Sequence, residues 1–136
     1  MGSLTFRDAV VTKLVNWSRN RQDFRLYLEN GPTIDWDRDE RPIVSVELAY
    51  SNSTQADLNA QPMIRDEGSI LVTVMVKQMT GMRTGYQLRE EVANLLQRQD
   101  LGGATTQVGR KLPNTGEIKG WVGYRVAIPF WHYYID

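Results

Sequence analysis

The chain has 136 residues, sixteen basic and sixteen acidic side chains, and no cysteine. That length suits a single domain, 1–136, with a proper core. The balanced charge excludes the broad basic footprint of a general DNA-binding protein, and the lack of cysteine excludes disulfides and thiolate metal sites. No apolar run reaches membrane-spanning length and no secretory pattern opens the chain, so neither a membrane nor an export route is expected.

The first element is a helix. Phe6, Val10, Leu14 and Trp17 share one stripe at helical spacing, and Thr5 stands where it would cap the first turn, with Asp8 at the third position. The pattern predicts a helix near Phe6–Asn20. Val11 and Val15 lie on another face, either as scattered surface valines or as a subunit contact. Lys13 falls near the apolar stripe and has to carry its ammonium out along it. Phe24–Leu28 alternates as a short strand, and Asn30-Gly31-Pro32 turns the chain. Ile34–Arg41 then places Asp35, Asp37, Asp39 and Glu40 around Trp36. Aspartates at alternate positions resemble the opening of a calcium loop. The match fails because Glu40 stands where glycine is needed and Val46 where a bidentate glutamate is needed. A solvated acidic loop without metal is the expectation.

Pro42 opens a second strand, Ile43–Tyr50, with Val44, Val46, Leu48 and Tyr50 on one face. Ser51–Arg65 is polar and reads as a long connection, either a mobile insertion or an arm that orders on a partner. Ile70, Val72, Val74 and Val76 then alternate with Leu71, Thr73, Met75 and Lys77. That is a strand with one face in a core and neighbours on both sides. Gly81 and Gly85 bracket a turn. Thr84 would cap the next helix with Gln87 in the capping-box position. Leu88, Val92, Leu95, Leu96 and Gln99 form its stripe, and Gly102-Gly103 is expected to end it. A strand around Val108 within Ala104–Leu112, a turn at Pro113-Asn114-Thr115-Gly116 and a long last strand over Trp121–Phe130 follow. Pro129 lacks an N–H, so that strand is expected to be at an edge there or to leave the sheet. The tail Trp131-His132-Tyr133-Tyr134-Ile135 is aromatic, as a terminus tucked under a core or presented to a partner would be.

No catalytic constellation is legible. His132 is the one histidine. No serine sits in a nucleophile elbow, and no glycine loop precedes a helix with Lys-Ser/Thr after it. The expectation is therefore not an enzyme, with no catalytic residues, no metal and no cofactor. Asn16-Trp17-Ser18 and Asn52-Ser53-Thr54 match the glycosylation pattern by chance when no export signal accompanies them.

The elements add up to an α+β fold, a mostly antiparallel sheet packed with two main helices. The closing run Gly120-Trp121-Val122-Gly123-Tyr124-Arg125-Val126-Ala127-Ile128-Pro129-Phe130-Trp131-His132-Tyr133 resembles the closing strand of tail terminator proteins of long-tailed bacteriophages. The opening helix that ends near a tryptophan, followed by Glu29-Asn30-Gly31-Pro32, is similar to theirs as well. The resemblance spans roughly Leu4 to Tyr134 and rests on layout.

What this resemblance implies is a structural virion protein at the tail-neck junction, assembled in the host cytoplasm. Its partners would be further copies of itself in a homohexameric ring, the major tail tube protein and the head-tail connector protein. DNA would pass through the lumen without specific binding. A head-tail joining (neck) protein is the near variant. A small-ligand binder or enzyme using the acidic stretch with His132 is the alternative from another class. On the ring reading, Val11, Val15, Thr54, Gln55, Asp57, Asn59 and Gln61 are the expected subunit or tube contacts. Asp35, Asp37, Asp39 and Glu40 are expected to face the lumen, where carboxylates repel phosphate.

Overall fold

A computed structural model describes residues 2–29, 31, 33–38, 40–55, 63–78, 82–116 and 118–135. The elements in chain order are α1 (Gly2–Ser18), β1 (Arg25–Leu28), β2 (Ile43–Gln55), β3 (Met63–Lys77), α2 (Met82–Leu96), β4 (Asp100–Leu101), β5 (Ala104–Thr106), β6 (Arg110–Thr115) and β7 (Trp121–Ile135). The seven strands form one sheet in the order β1-β2-β3-β7-β5-β4, with β6 also on β7. Only β1 with β2 is a parallel pair; the rest are antiparallel. The expected α+β class is the one observed.

The alternation in the central strands does what it predicts. Ile70, Val72, Val74 and Val76 are buried on one face of β3, opposite Ile128, Val126, Tyr124 and Val122 of β7. Both helices lie on that face. α1 contributes Phe6, Val10 and Leu14, and α2 contributes Leu88, Val92 and Leu96. Phe6 meets Phe130 with ring centroids 4.4 Å apart. Lys13 escapes the stripe as expected, and its ammonium donates to Gln99 Oε1 at 3.1 Å.

Several boundaries differ from the sequence reading. α1 begins at Gly2, so Thr5 lies inside the helix and does not cap it. α2 begins at Met82, so Thr84 and Gly85 are helical too. Gly85 is there for packing: a Cβ at this position would overlap the ring of Tyr124. α2 also ends earlier than expected, at Leu96, and Gln99 is outside it. Its last turn is closed by Thr106 from β5, whose hydroxyl donates to the Leu96 carbonyl and accepts from Gln99 N. That satisfies a carbonyl the helix leaves open. Arg98 takes the positive φ beyond the helix, and Gly102 and Gly103 instead turn β4 into β5.

Ser51–Arg65 is not a loop throughout. β2 and β3 remain paired as far as Gln55 and Ile64, past a register shift between Tyr50 and Asn52. β7 accompanies them, pairing Glu67 with Trp131 and Met63 with Ile135. The aromatic tail is thus the third strand of an extension beyond the helix-covered part of the sheet. Ala104–Leu112 is two strands rather than one, and Val108 is exposed between them. The turn expected at Pro113 is the bulged end of β6. Pro129 stays in the interior of the sheet. The strand beside it is broken between β5 and β6, and Gln107 N donates to the Pro129 carbonyl in that gap. The Pro129 carbonyl points to that side, so its missing N–H would have faced the gap, where no strand runs past and no ladder bond is needed.

Arg21 ties the α1–β1 connection to α2. Its guanidinium binds Asp23 at 2.6 Å and Glu91 at 3.0 Å and lies over the rings of Trp17 and Phe24. The Arg21 hydrogen bond holds the Asp23 carboxyl below the usual aspartate range. A carboxyl depressed in the folded state stabilises above its unfolded pKa, about 4, and loses that effect as pH falls through the folded value. Asp23→Asn is expected to cost under about 1 kcal/mol at pH 7, because the pair is exposed. The difference from wild type should shrink to nothing in urea titrations near about pH 2. Gly85→Ala sets two effects against each other. Helix propensity favours alanine by roughly 1 kcal/mol, while overpacking costs about 1–3 kcal/mol. The Tyr124 ring is buried and would meet the new Cβ head-on, so overpacking is expected to win, and calorimetry should record a lower melting temperature.

Candidate interaction surfaces

The acidic segment is anchored from below. Arg25, buried on β1, donates from Nη1 to the Asp35 carbonyl at 2.8 Å and to the Tyr27 hydroxyl at 3.3 Å. Ile34 and Trp36 turn inward onto a second, smaller apolar cluster formed by Ile43, Met75 and Trp121 on the sheet face away from the helices. Trp36 meets Trp121 edge-on at 5.4 Å. Apolar residues at 34 and 36 therefore send Asp35 and Asp37 outward, and both are exposed, as is Glu40. Asp35 Oδ1 accepts from Asp37 N at 3.1 Å, a local turn rather than a cation cage. Asp39 lies outside the described residues. Among the described residues no group of three or more His, Cys, Asp or Glu is placed to hold a metal ion.

Between this segment and the approach to β7 lies an open cleft of about 280 Å³. Trp36 and Ile34 form one wall and Ile118 and Thr115 the other, over a floor that includes Ser45, Thr73 and Arg125. Sequence reading missed it, because its walls come from two loops far apart in the chain. The alternating Ile34 and Trp36 were the available signal.

The structure does not bring the acidic segment to His132. Trp36 sits at the Trp121 end of β7, whereas the backbone of His132 pairs with Asp66 and Ala104 near the other end. Eleven strand positions separate Trp121 from His132, on the order of 35 Å. The His132 side chain lies outside the described residues.

The expected contact residues fall on two surfaces. Val11 is half-buried and lines a shallow apolar crevice between α1 and β1–β2 with Val10, Leu14 and Leu28, so it is not a free surface valine. Val15 is 42% exposed. Thr54 and Gln55 are in β2, while Asp57, Asn59 and Gln61 lie outside the described residues. β1 flanks β2 only over Ile43–Val46. Just beyond, the Glu29 carboxylate takes the place of a strand: Oε2 accepts from Leu48 N at 3.1 Å and Oε1 binds Arg7 at 2.8 Å. From there to Gln55 no strand covers that edge among the described residues. Also among them, no helix is long and apolar enough to cross a membrane.

No family model matches the chain, and no curated protein matches it. Solved structures do: 17 chains match. One superposes on 100% of this chain and 96% of its own, with a TM-score of 0.63 and 17% sequence identity. At that identity the likeness establishes the fold and nothing finer.

If Trp36 clamps the acidic segment, Trp36→Ala should cost about 2–3 kcal/mol in urea unfolding. Asp37→Ala, at an exposed position, should stay within about 0.5 kcal/mol. Equal effects would mean that the segment is held by its backbone alone.

Proposed function

We propose that this chain is a ring-forming structural protein of a phage tail, similar to tail terminators, which caps the tail tube and joins it to the head connector. The observation that carries this reading is the three-stranded extension formed by the ends of β2, β3 and β7. Its outer strand has an open edge, and open edges are places where a further strand from another chain pairs. The residues from Ser51 to Gln55 on that strand are polar, which suits a surface that is wet before assembly and paired after it. The separation of the acidic segment from His132 counts against the ligand-binding or enzymatic alternative, since that reading needs them in one site. The layout resemblance supplies the rest of the assignment: six copies, tube and connector as partners, DNA passing through, and a place at the tail-neck junction. A neck protein of the head-tail junction is the neighbouring reading, and the same ring geometry serves it.

The test is polymerisation of the tube protein encoded by the same phage in the presence and absence of this chain, followed by electron microscopy. Tubes of bounded length carrying a sixfold ring at one end are the expected result. Unchanged tube length with no end density would overturn the terminator reading. A ring bound to connectors but not to tubes would move the protein to the neck.

A further inference from the structure

Arg89 is a cation out of place. It lies in the middle of α2, only 6% exposed, and its Nε is buried with no hydrogen-bond partner. Among the described residues its guanidinium has no ion pair, and its recorded contact is with the ring of Tyr86, 4.9 Å away. A guanidinium stays charged at any working pH, and a buried charge left without a counterion is strongly unfavourable. Carboxylates of the same helix do not help: Glu91 is tied to Arg21, and Glu90 is exposed and makes no pair with Arg89.

The surroundings are those of a contact surface. Met82, Tyr86 and Arg89 follow one side of α2 at helical spacing, and Gln97, just past its end with its N–H on the Ala93 carbonyl, continues that line. That side looks toward the start of β6, because Gln97 Oε1 accepts from Gly109 N at 2.9 Å. Along it Met82 is 63% exposed, Tyr86 41%, and nearby Val108 51%. Lys111 of β6, paired with Val126 and so on the helix side of the sheet, is exposed. Exposed apolar side chains along the helix beside a buried arginine that has no ion pair among the described residues fit a partner that presents carboxylates on an apolar base.

The chain itself carries such a surface on the other face of its sheet. β6 borders one side of the sheet and β1 the other. The segment packed beside β1 exposes Asp35, Asp37 and Glu40, none in a recorded ion pair, above Ile34 and Trp36. The two surfaces are on opposite faces of the sheet, so one copy cannot join them within itself. We infer that the Arg89 side of α2 receives the acidic segment 33–41 of a second copy of this chain in a head-to-tail contact. Such a contact joins two different patches and closes into a ring when the rotation permits. This deepens the ring reading and rests on it for closure. It also gives the acidic segment a place between subunits rather than in the lumen.

Arg89→Met separates this from a structural role. Methionine keeps the length and removes the charge. For the isolated chain the melting temperature is expected to hold or rise, while sedimentation equilibrium at high protein concentration should show self-association weakened at least tenfold. A lower melting temperature would mean that the charge is satisfied within the chain, and the inference would fall. Because the protein has no cysteine of its own, a second measurement needs no background correction. Asp37→Cys and Tyr86→Cys variants, mixed and oxidised, should give the mixed dimer in excess over either homodimer. Equal or absent mixed dimer overturns the contact. If Arg89→Met chains still cap tubes as rings of unchanged stability, the copies meet elsewhere: the contact is wrong while the ring reading stands. Loss of tube capping by the wild-type chain itself would instead remove the ring reading.

Discussion

The pairing of β3 with β7 is the constraint on which the other elements depend. It runs unbroken from Met63 opposite Ile135 to Lys77 opposite Trp121. Its register puts Ile70, Val72 and Val74 beside Ile128, Val126 and Tyr124 on the helix side. Thr73, Arg125, Leu71 and Ala127 are left for the other face. A slip of one residue would exchange the two sets and present hydroxyl and guanidinium groups to α1 and α2. Both helices are fitted to this register. Phe6 is placed by Phe130, and Gly85 lets α2 approach Tyr124 more closely than any side chain would allow.

Where the ladder stops, side chains take over its hydrogen bonds. Glu29 receives Leu48 N after β1 ends, and Thr106 closes the last turn of α2. Gln97 receives Gly109 N in the break between β5 and β6. Buried or half-buried backbone groups are satisfied in this way without lengthening any strand. Arg89 stands apart from this pattern. Arg25 also has a buried, unbonded Nε, but its Nη1 is bonded within the chain; the Arg89 guanidinium has no ion pair among the described residues, which points outside the chain.

The two halves of the long strands have different surroundings. Their middle carries the core under the helices, and their ends continue as an extension of three strands that no strand flanks at its tip among the described residues. A stable centre and an extended end in one set of strands is a suitable design for a subunit whose task is contact. The centre holds its shape while the end pairs. The second apolar cluster, with Trp36 on Trp121, fixes the acidic segment to the same rigid centre, so that its carboxylates are presented on a firm base.

By itself the sequence determined the class and the core. Alternation over Ile70–Lys77 and Trp121–Phe130 and the stripes of both helices followed from periodicity, and most of the residues so chosen are buried, with Trp17, Leu95, Gln99 and Val122 half-buried. That works because burial acts on each side chain at a local period of two or of about 3.6. Only the tertiary structure decided what depends on residues distant in sequence. Ser51–Gln55 is polar and Met63–Arg65 closes a mostly polar stretch, so both look like loop, yet they are strands because they pair with each other and β7 runs along the second of them. Gly85 looks like a turn residue, yet it is helical because an aromatic ring from β7 occupies the space of a side chain. The end of α2 was assigned to glycines, but a threonine from β5 closes it. The isolation of Arg89 was equally invisible. An arginine in a helix has no mark in sequence that says whether a carboxylate waits beside it, since that depends on which strands the fold brings to its flank.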